Sequence, residues 1–191
     1  MTWGIPTEAF VQIHVGLSLI GIVSGIIVLY GLLAGKRLAA WTALFLATTI
    51  LTGVTGFPLP PFGWDPARVV GVILLVLTGA AVVALYIFHL AGAWRPIYLV
   101  AAVTSLYLNC FVGVVQAFQK VSALHALAPT QSEPPFLIAQ VALLVAFVVL
   151  GVVMVVRPIR KPILPRKKYW GAQADPAAVP RWRSTGTWTQ P

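Results

Sequence analysis

The stretch Phe10-Val-Gln-Ile-His14-Val-Gly-Leu-Ser18-Leu-Ile-Gly21-Ile-Val-Ser-Gly25-Ile-Ile-Val-Leu-Tyr30-Gly-Leu-Leu-Ala34 contains no Asp, Glu, Lys or Arg, and Gly35-Lys36-Arg37 follows it at once. A run of this length, apolar throughout and closed by cations, is long enough to cross the roughly 30 Å hydrocarbon core of a bilayer as a helix. It is also about twice the length of a barrel strand and does not alternate, so helix is the only spanning structure it fits. The first ten residues hold Glu8 and no Lys or Arg, which differs from the basic start of a cleavable leader, and the run is expected to stay as a helix.

Four more such runs follow, about 38–57, 68–93, 96–119 and 135–156. None carries a charge near its middle, where each would cost about 2.5–3.5 kcal/mol. Pro96 and Pro135 fall at helix starts, where a missing N–H costs nothing. The run 38–57 is the least apolar, with Thr48, Thr49, Thr52 and Thr55 beside Gly53 and Gly56, so four spans is the alternative count. Composition agrees with a membrane protein: 59% of the residues are hydrophobic and 9% charged, against about 25% charged in a soluble domain. The expected fold is an all-α integral membrane bundle of about five transmembrane helices, residues 1–156, followed by a basic tail, 157–191.

Lys and Arg set the expected orientation. With the N-terminus outside, eleven of the 13 fall on the cytoplasmic side and only Arg68 and Lys120 outside. Tyr30, Trp41, Tyr86, Trp94 and Tyr98 then lie near the inner interface, as belt aromatics do. The net charge of +9 thus reads as membrane orientation, not as a nucleic-acid surface. The single Cys110 rules out an intrachain disulfide framework.

Polar residues inside the spans are the candidate site. His14, Ser18, Gly21 and Gly25 share one helical face, and Gly21 to Gly25 is a small-xxx-small step that admits a neighbouring backbone. Ser105, Asn109 and Gln116 share a face of the fourth span, and Gln140 lies on the fifth. Gln12, His14, Thr52, Thr55, Gln116 and Gln140 gather in the outer half, with Asn109 close to mid-membrane, so any small-molecule pocket is expected to open outward. His14, Asn109, Gln116 and Gln140 are the residues that would hold a quinone carbonyl or a lipid head group in an apolar slot. The alternative is that they bond helix to helix.

Haem b would need two imidazoles at one depth. His14 and His89 lie on opposite sides, which leaves His14 with His125 if the outer loop folds back. His14, His125 and Glu133 are the only outer ligand set in reach of a metal, and no metal site is expected. No HExxH occurs, and no base matches the depth of Ser24, so no catalytic residues are assigned. The absence of an internal repeat weighs against an inverted-repeat transporter.

The loop 122–135 has room for one helical turn before Pro129. The tail carries Lys161, Arg166, Lys167 and Lys168, a juxtamembrane cluster suited to anionic lipid. Trp170, Trp182 and Trp188 follow and suit a clamp on a partner subunit.

Two stretches carry a resemblance. Tyr86-Ile-Phe-His89-Leu-Ala-Gly-Ala-Trp94-Arg-Pro-Ile-Tyr98, leading to Ser105-Leu-Tyr-Leu-Asn109, is one. Leu124-His-Ala-Leu-Ala-Pro-Thr-Gln-Ser-Glu-Pro-Pro-Phe136 is the other. They resemble small bacterial multi-pass proteins labelled only as hypothetical membrane proteins, over roughly residues 10–155. The resemblance implies a bacterial inner membrane and brings no cofactor or catalytic residue. The expectation is a non-enzymatic membrane subunit or accessory protein whose partners are membrane lipids and other membrane subunits, without nucleic acid. The alternative is a small-molecule, quinone or haem binder using the outer polar cluster, and a small transporter or channel comes third.

Overall fold

The structure is a computed structural model that describes residue 2, residues 4–59 and residues 65–156. Five helices in it are long and apolar enough to cross a membrane. They are α1 (Thr7–Leu33), α2 (Ala39–Gly56), α3 (Pro66–Val82, continued by a π turn over Val83–Ile87), α4 (Trp94–Lys120) and α6 (Pro134–Val156), with a short α5 (Ser122–Leu127) before the last. The tail residues Lys161, Arg166, Lys167, Lys168, Trp170, Trp182 and Trp188 lie outside the described residues.

The least apolar run is a continuous helix in which Thr42, Thr48 and Thr55 return their hydroxyl protons to carbonyls of the helix itself. Thr48 and Thr55 donate to the carbonyls of Leu44 and Leu51 one turn back, at 2.8 and 2.7 Å. Such back-bonding lets threonine sit in an apolar helix without an exposed donor. The helix ends have separate local causes. Gly35 takes φ +71°, which stops α1, and Lys36 N–H then bonds back to the Gly31 carbonyl at 2.8 Å. Asp65 caps α3, accepting from the Arg68 backbone N–H at 2.8 Å, with Pro66 at the first helical position.

The third span stops short of the 68–93 expected for it. The chain leaves the helix through the π turn, after which His89 (φ 49°), Leu90 (φ 60°) and Gly92 (φ 52°) are left-handed. The Leu90 N–H reaches the Ala84 carbonyl at 2.9 Å, and Phe88 stacks on Trp94 with centroids 3.8 Å apart. These bonds and this stack fold the 88–93 turn back towards α4, which starts at Trp94.

Helices α1 and α2, α2 and α3, α3 and α4, and α4 and α1 pack in a closed cycle. Short connections make this an up-and-down four-helix bundle. Its centre is Val28, Phe45 and Leu106, all essentially inaccessible. Gly25 is what admits them: a Cβ there would stand 2.7 Å from Leu106 and 2.9 Å from the Phe45 ring. Helix α6 stands outside the cycle. Among the described residues its one substantial neighbour is α4, and only Gln140 and Met154 on it are buried.

Candidate functional site: a polar seam and an apolar groove

The half of the bundle nearer the N-terminus carries a seam of buried polar side chains. Helix α2 supplies Thr48, Thr49, Thr52 and Thr55, all on its buried side. At the end of the seam, His14 Nδ1 lies 2.9 Å from Thr55 Oγ1. Because the Thr55 hydroxyl donates to Leu51, its oxygen is left to accept, which fits the tautomer with the proton on Nδ1. A turn and a half deeper, Asn109 of α4 donates to Thr49 Oγ1 at 3.5 Å. Gly21 of α1 faces this pair: a Cβ there would be 3.4–3.5 Å from Thr48 Oγ1, Thr49 Oγ1 and Asn109 Nδ2. The glycine therefore lets polar groups of α2 and α4 meet against the α1 backbone. Below them the Thr78 and Ser105 hydroxyls pair at 3.2 Å between α3 and α4.

These groups are mostly spent on one another. Ser18 and Ser24 donate to carbonyls of their own helix, and the partner of His14 is a threonine, so no serine is joined to a base. Two buried oxygens lack a partner, Thr52 Oγ1 and Gln140 Oε1. Gln140 uses its nitrogen to bond the Phe111 carbonyl at 3.3 Å, tying α6 to α4.

The four residues assigned to one pocket by sequence do not converge. Asn109 lies in the seam, His14 is half-buried at its mouth, and Gln140 is in the separate α4–α6 contact. Gln116 is exposed, which corrects its placement on the buried face of Ser105 and Asn109. Helical phase does align the three, but among the described residues none covers the side of α4 on which Gln116 lies. His125 is exposed on α5 and does not fold back to pair with His14. Glu133 is engaged in its own loop, accepting from the Thr130 hydroxyl at 2.8 Å and from the Thr130 and Ser132 N–H groups at 3.1 Å. Among the described residues no group of three or more His, Cys, Asp or Glu side chains comes together.

A cavity lies in the other half of the molecule, where no pocket was expected. It is a groove of about 450 Å³ between α4 and α6, lined by Val100, Val103 and Tyr107 on one wall and by Leu144, Val148 and Val155 on the other. Sequence reasoning missed it because polar residues mark where bonds are made, whereas this void is bounded by valines. Nearer the N-terminus the same seam is shut by Gln140 on Phe111 and by Phe118 edge-on to Phe136, centroids 5.4 Å apart. Tyr107, leaning on Phe147 at 5.8 Å, closes the groove towards that end.

No family model, no curated protein and no solved structure matches this chain.

Proposed function

We propose that the chain is a non-enzymatic membrane subunit, with the four-helix cycle as its scaffold and α6 as the arm that packs against another membrane protein. One observation carries this reading. Ile138, Ala142, Val145, Val149, Val152 and Val156 recur at spacings of four and three along α6, and every one of them is exposed. That is the seam of a helix packing at a shallow crossing angle. Its side chains are small or β-branched, which lose little freedom on packing and let backbones approach. From Ile138 to Val156 the stripe rises about 27 Å, nearly the full hydrocarbon thickness. The seam residues of the bundle, in contrast, have most of their bonds satisfied within the chain, Thr52 Oγ1 excepted, and offer little to a substrate.

In this reading the N-terminus faces outward and the basic tail the cytoplasm of a bacterial inner membrane, in line with the Lys and Arg bias. The test is native mass spectrometry of the tagged protein, gently extracted from its own membranes, as wild type and as Val149→Trp. The expected result is added mass from one or more other subunits, lost in the variant while its thermal unfolding is unchanged. A lone chain in both samples would overturn the reading.

A further inference from the structure

We infer that His14 and Thr52 form a binding site for a single hydroxyl group at the mouth of the polar seam, independently of the subunit reading. The hydroxyl comes from a water molecule or from the head of a hydroxyl-bearing amphiphile, such as a quinol, that reaches the mouth through the bilayer. Three observations converge on these two side chains. The first is an unspent hydroxyl. Thr42, Thr48, Thr55 and Thr78 each return their proton to the carbonyl four residues back. Thr52 does not, and its Oγ1 has no partner although the residue is only 7% exposed. A buried hydroxyl is costly to leave unbonded, which favours a polar group from outside the chain at this point.

The second observation is an unspent nitrogen. His14 Nδ1 holds its proton against Thr55 Oγ1 at 2.9 Å, so Nε2 is left as an acceptor. Among the described residues nothing donates to it. Ser18, one turn along α1, sends its proton to the His14 carbonyl at 3.0 Å. The third is room between the two. The imidazole Cε1, which is bonded to Nε2, stands 3.5 Å from where a Gly56 Cβ would be. Apart from the glycine's own stretch of chain, no other atom comes within 4 Å of that point. Around the α2 axis Thr52 lies about 60° from Thr55 and about 40° from Gly56, roughly one turn below both. The ring that rests on Thr55 and Gly56 therefore stands over Thr52. Side chains one turn apart have Cβ atoms about 5–6 Å from each other. The space that a Cβ on Gly56 would fill thus lies between Thr52 Oγ1 and the Nε2 edge of the ring.

The two partners select the chemistry of the occupant. Nε2 needs a donor, whereas Thr52 can donate or accept. One hydroxyl gives its proton to Nε2 and receives that of Thr52 on its oxygen. A carbonyl has no proton for Nε2, which sets aside the quinone carbonyl expected at His14 from sequence. Room for one methyl-sized group admits a hydroxyl and little more.

The experiment uses the full chain carrying His89→Gln and His125→Gln, so that His14 is the one imidazole. It is prepared with isotope-labelled histidine and placed in phosphatidylcholine bilayers with and without added hydroquinone, and the ring nitrogens are read by NMR. The Nε2 resonance is expected upfield, at the position of a hydrogen-bonded acceptor. A bonded resonance in the plain bilayer, with a cross-peak from the ring to water, identifies water as the source. One that appears only with hydroquinone identifies the amphiphile. Gly56→Ala puts a methyl into the space and is expected to move Nε2 to the free position. It is also expected to lower the unfolding temperature, although alanine is the better helix former. In the Thr52→Val background, where the occupant has lost one partner, the same substitution is expected to raise it. If Gly56→Ala fails to fold, Thr52→Val alone is expected to move Nε2 towards the free position, and an unmoved resonance would overturn the proposal. So would a free Nε2 in the parent chain in both bilayers, a bonded Nε2 that survives Gly56→Ala, or stabilisation by Gly56→Ala in both backgrounds.

Discussion

Gly21 and Gly25 occupy one face of α1, a turn apart, yet they meet different surroundings. A Cβ on Gly25 would press on Leu106 at 2.7 Å and on the fully buried Phe45 ring at 2.9 Å, whereas on Gly21 it would meet nothing closer than 3.4 Å. Gly25→Ala is therefore expected to lower stability by about 1–3 kcal/mol, the usual cost of overpacking. Gly21→Ala is expected to be nearly neutral, and thermal unfolding of the two variants in detergent compares them directly. The shared face was legible from the spacing of four. The difference was not, because spacing tells which residues point together and not what stands opposite. Gln116 makes the same point: its phase matches that of Asn109, but burial also requires a neighbour at the same depth. Asn109 and Thr49 test the seam itself. A double-mutant cycle with Asn109→Leu and Thr49→Val should return a coupling of about 0.6–1.7 kcal/mol, the range for hydrogen bonds between membrane helices. A coupling near zero would mean that the 3.5 Å contact contributes nothing.

Among the elements, Arg68 ties the start of α3 to the residues that follow α2. Arg68 pairs with Asp65 at 2.7 Å and donates to the Leu59 and Phe57 carbonyls at 2.7 and 3.3 Å, with only 11% of its side chain exposed. It thereby satisfies carbonyls of the turn just beyond the C-terminus of α2. Arg68→Lys removes the fork that reaches all three, and a loss of about 1–3 kcal/mol in unfolding free energy is expected. In the sequence Arg68 stood out only as one of two cations on the expected outer side. Its role as a clamp depends on partners nine and eleven residues away, which charge counting does not see. The loop before α6 has a pH-dependent clamp. Desolvation pushes the Glu133 carboxyl upward, but the bonds from the Thr130 hydroxyl and from the Thr130 and Ser132 N–H groups together hold it below the ordinary carboxylate range. Its contribution is then present above the unfolded carboxylate value of about 4.3 and disappears as pH falls through the lower folded value. Proteolytic nicking of residues 128–133 should rise below about pH 4, and Glu133→Gln should flatten that dependence. The end of α3 was misjudged because nothing in Val83–Ile87 announces a π turn, and the left-handed positions that follow fall on His89 and Leu90 before any glycine.

At the scale of the whole molecule, five apolar stretches were plain in the chain, since the cost of a charge in hydrocarbon leaves a strong mark on composition. Which stretches touch was not plain, because lipid-facing and helix-facing surfaces are both apolar. Five spans of similar composition become a closed cycle of four with α6 resting on α4. This inequality should appear in hydrogen exchange. In detergent the backbone amides of α6 should lose protection before those of α2 and α4, because sub-global opening starts where buried contacts are fewest. Uniform protection across all five helices would show α6 to be as firmly held as the rest.

The placement of α6 also bears on how the protein is made. Every helix needed to close the cycle is synthesised by Lys120, before the first residue of α6 leaves the ribosome. The nascent chain can thus bury Val28, Phe45 and Leu106 and complete its polar seam while the last span is still inside the ribosome. Insertion of the fifth helix then becomes a separate, later event, free to wait for whatever α6 is to meet in the bilayer.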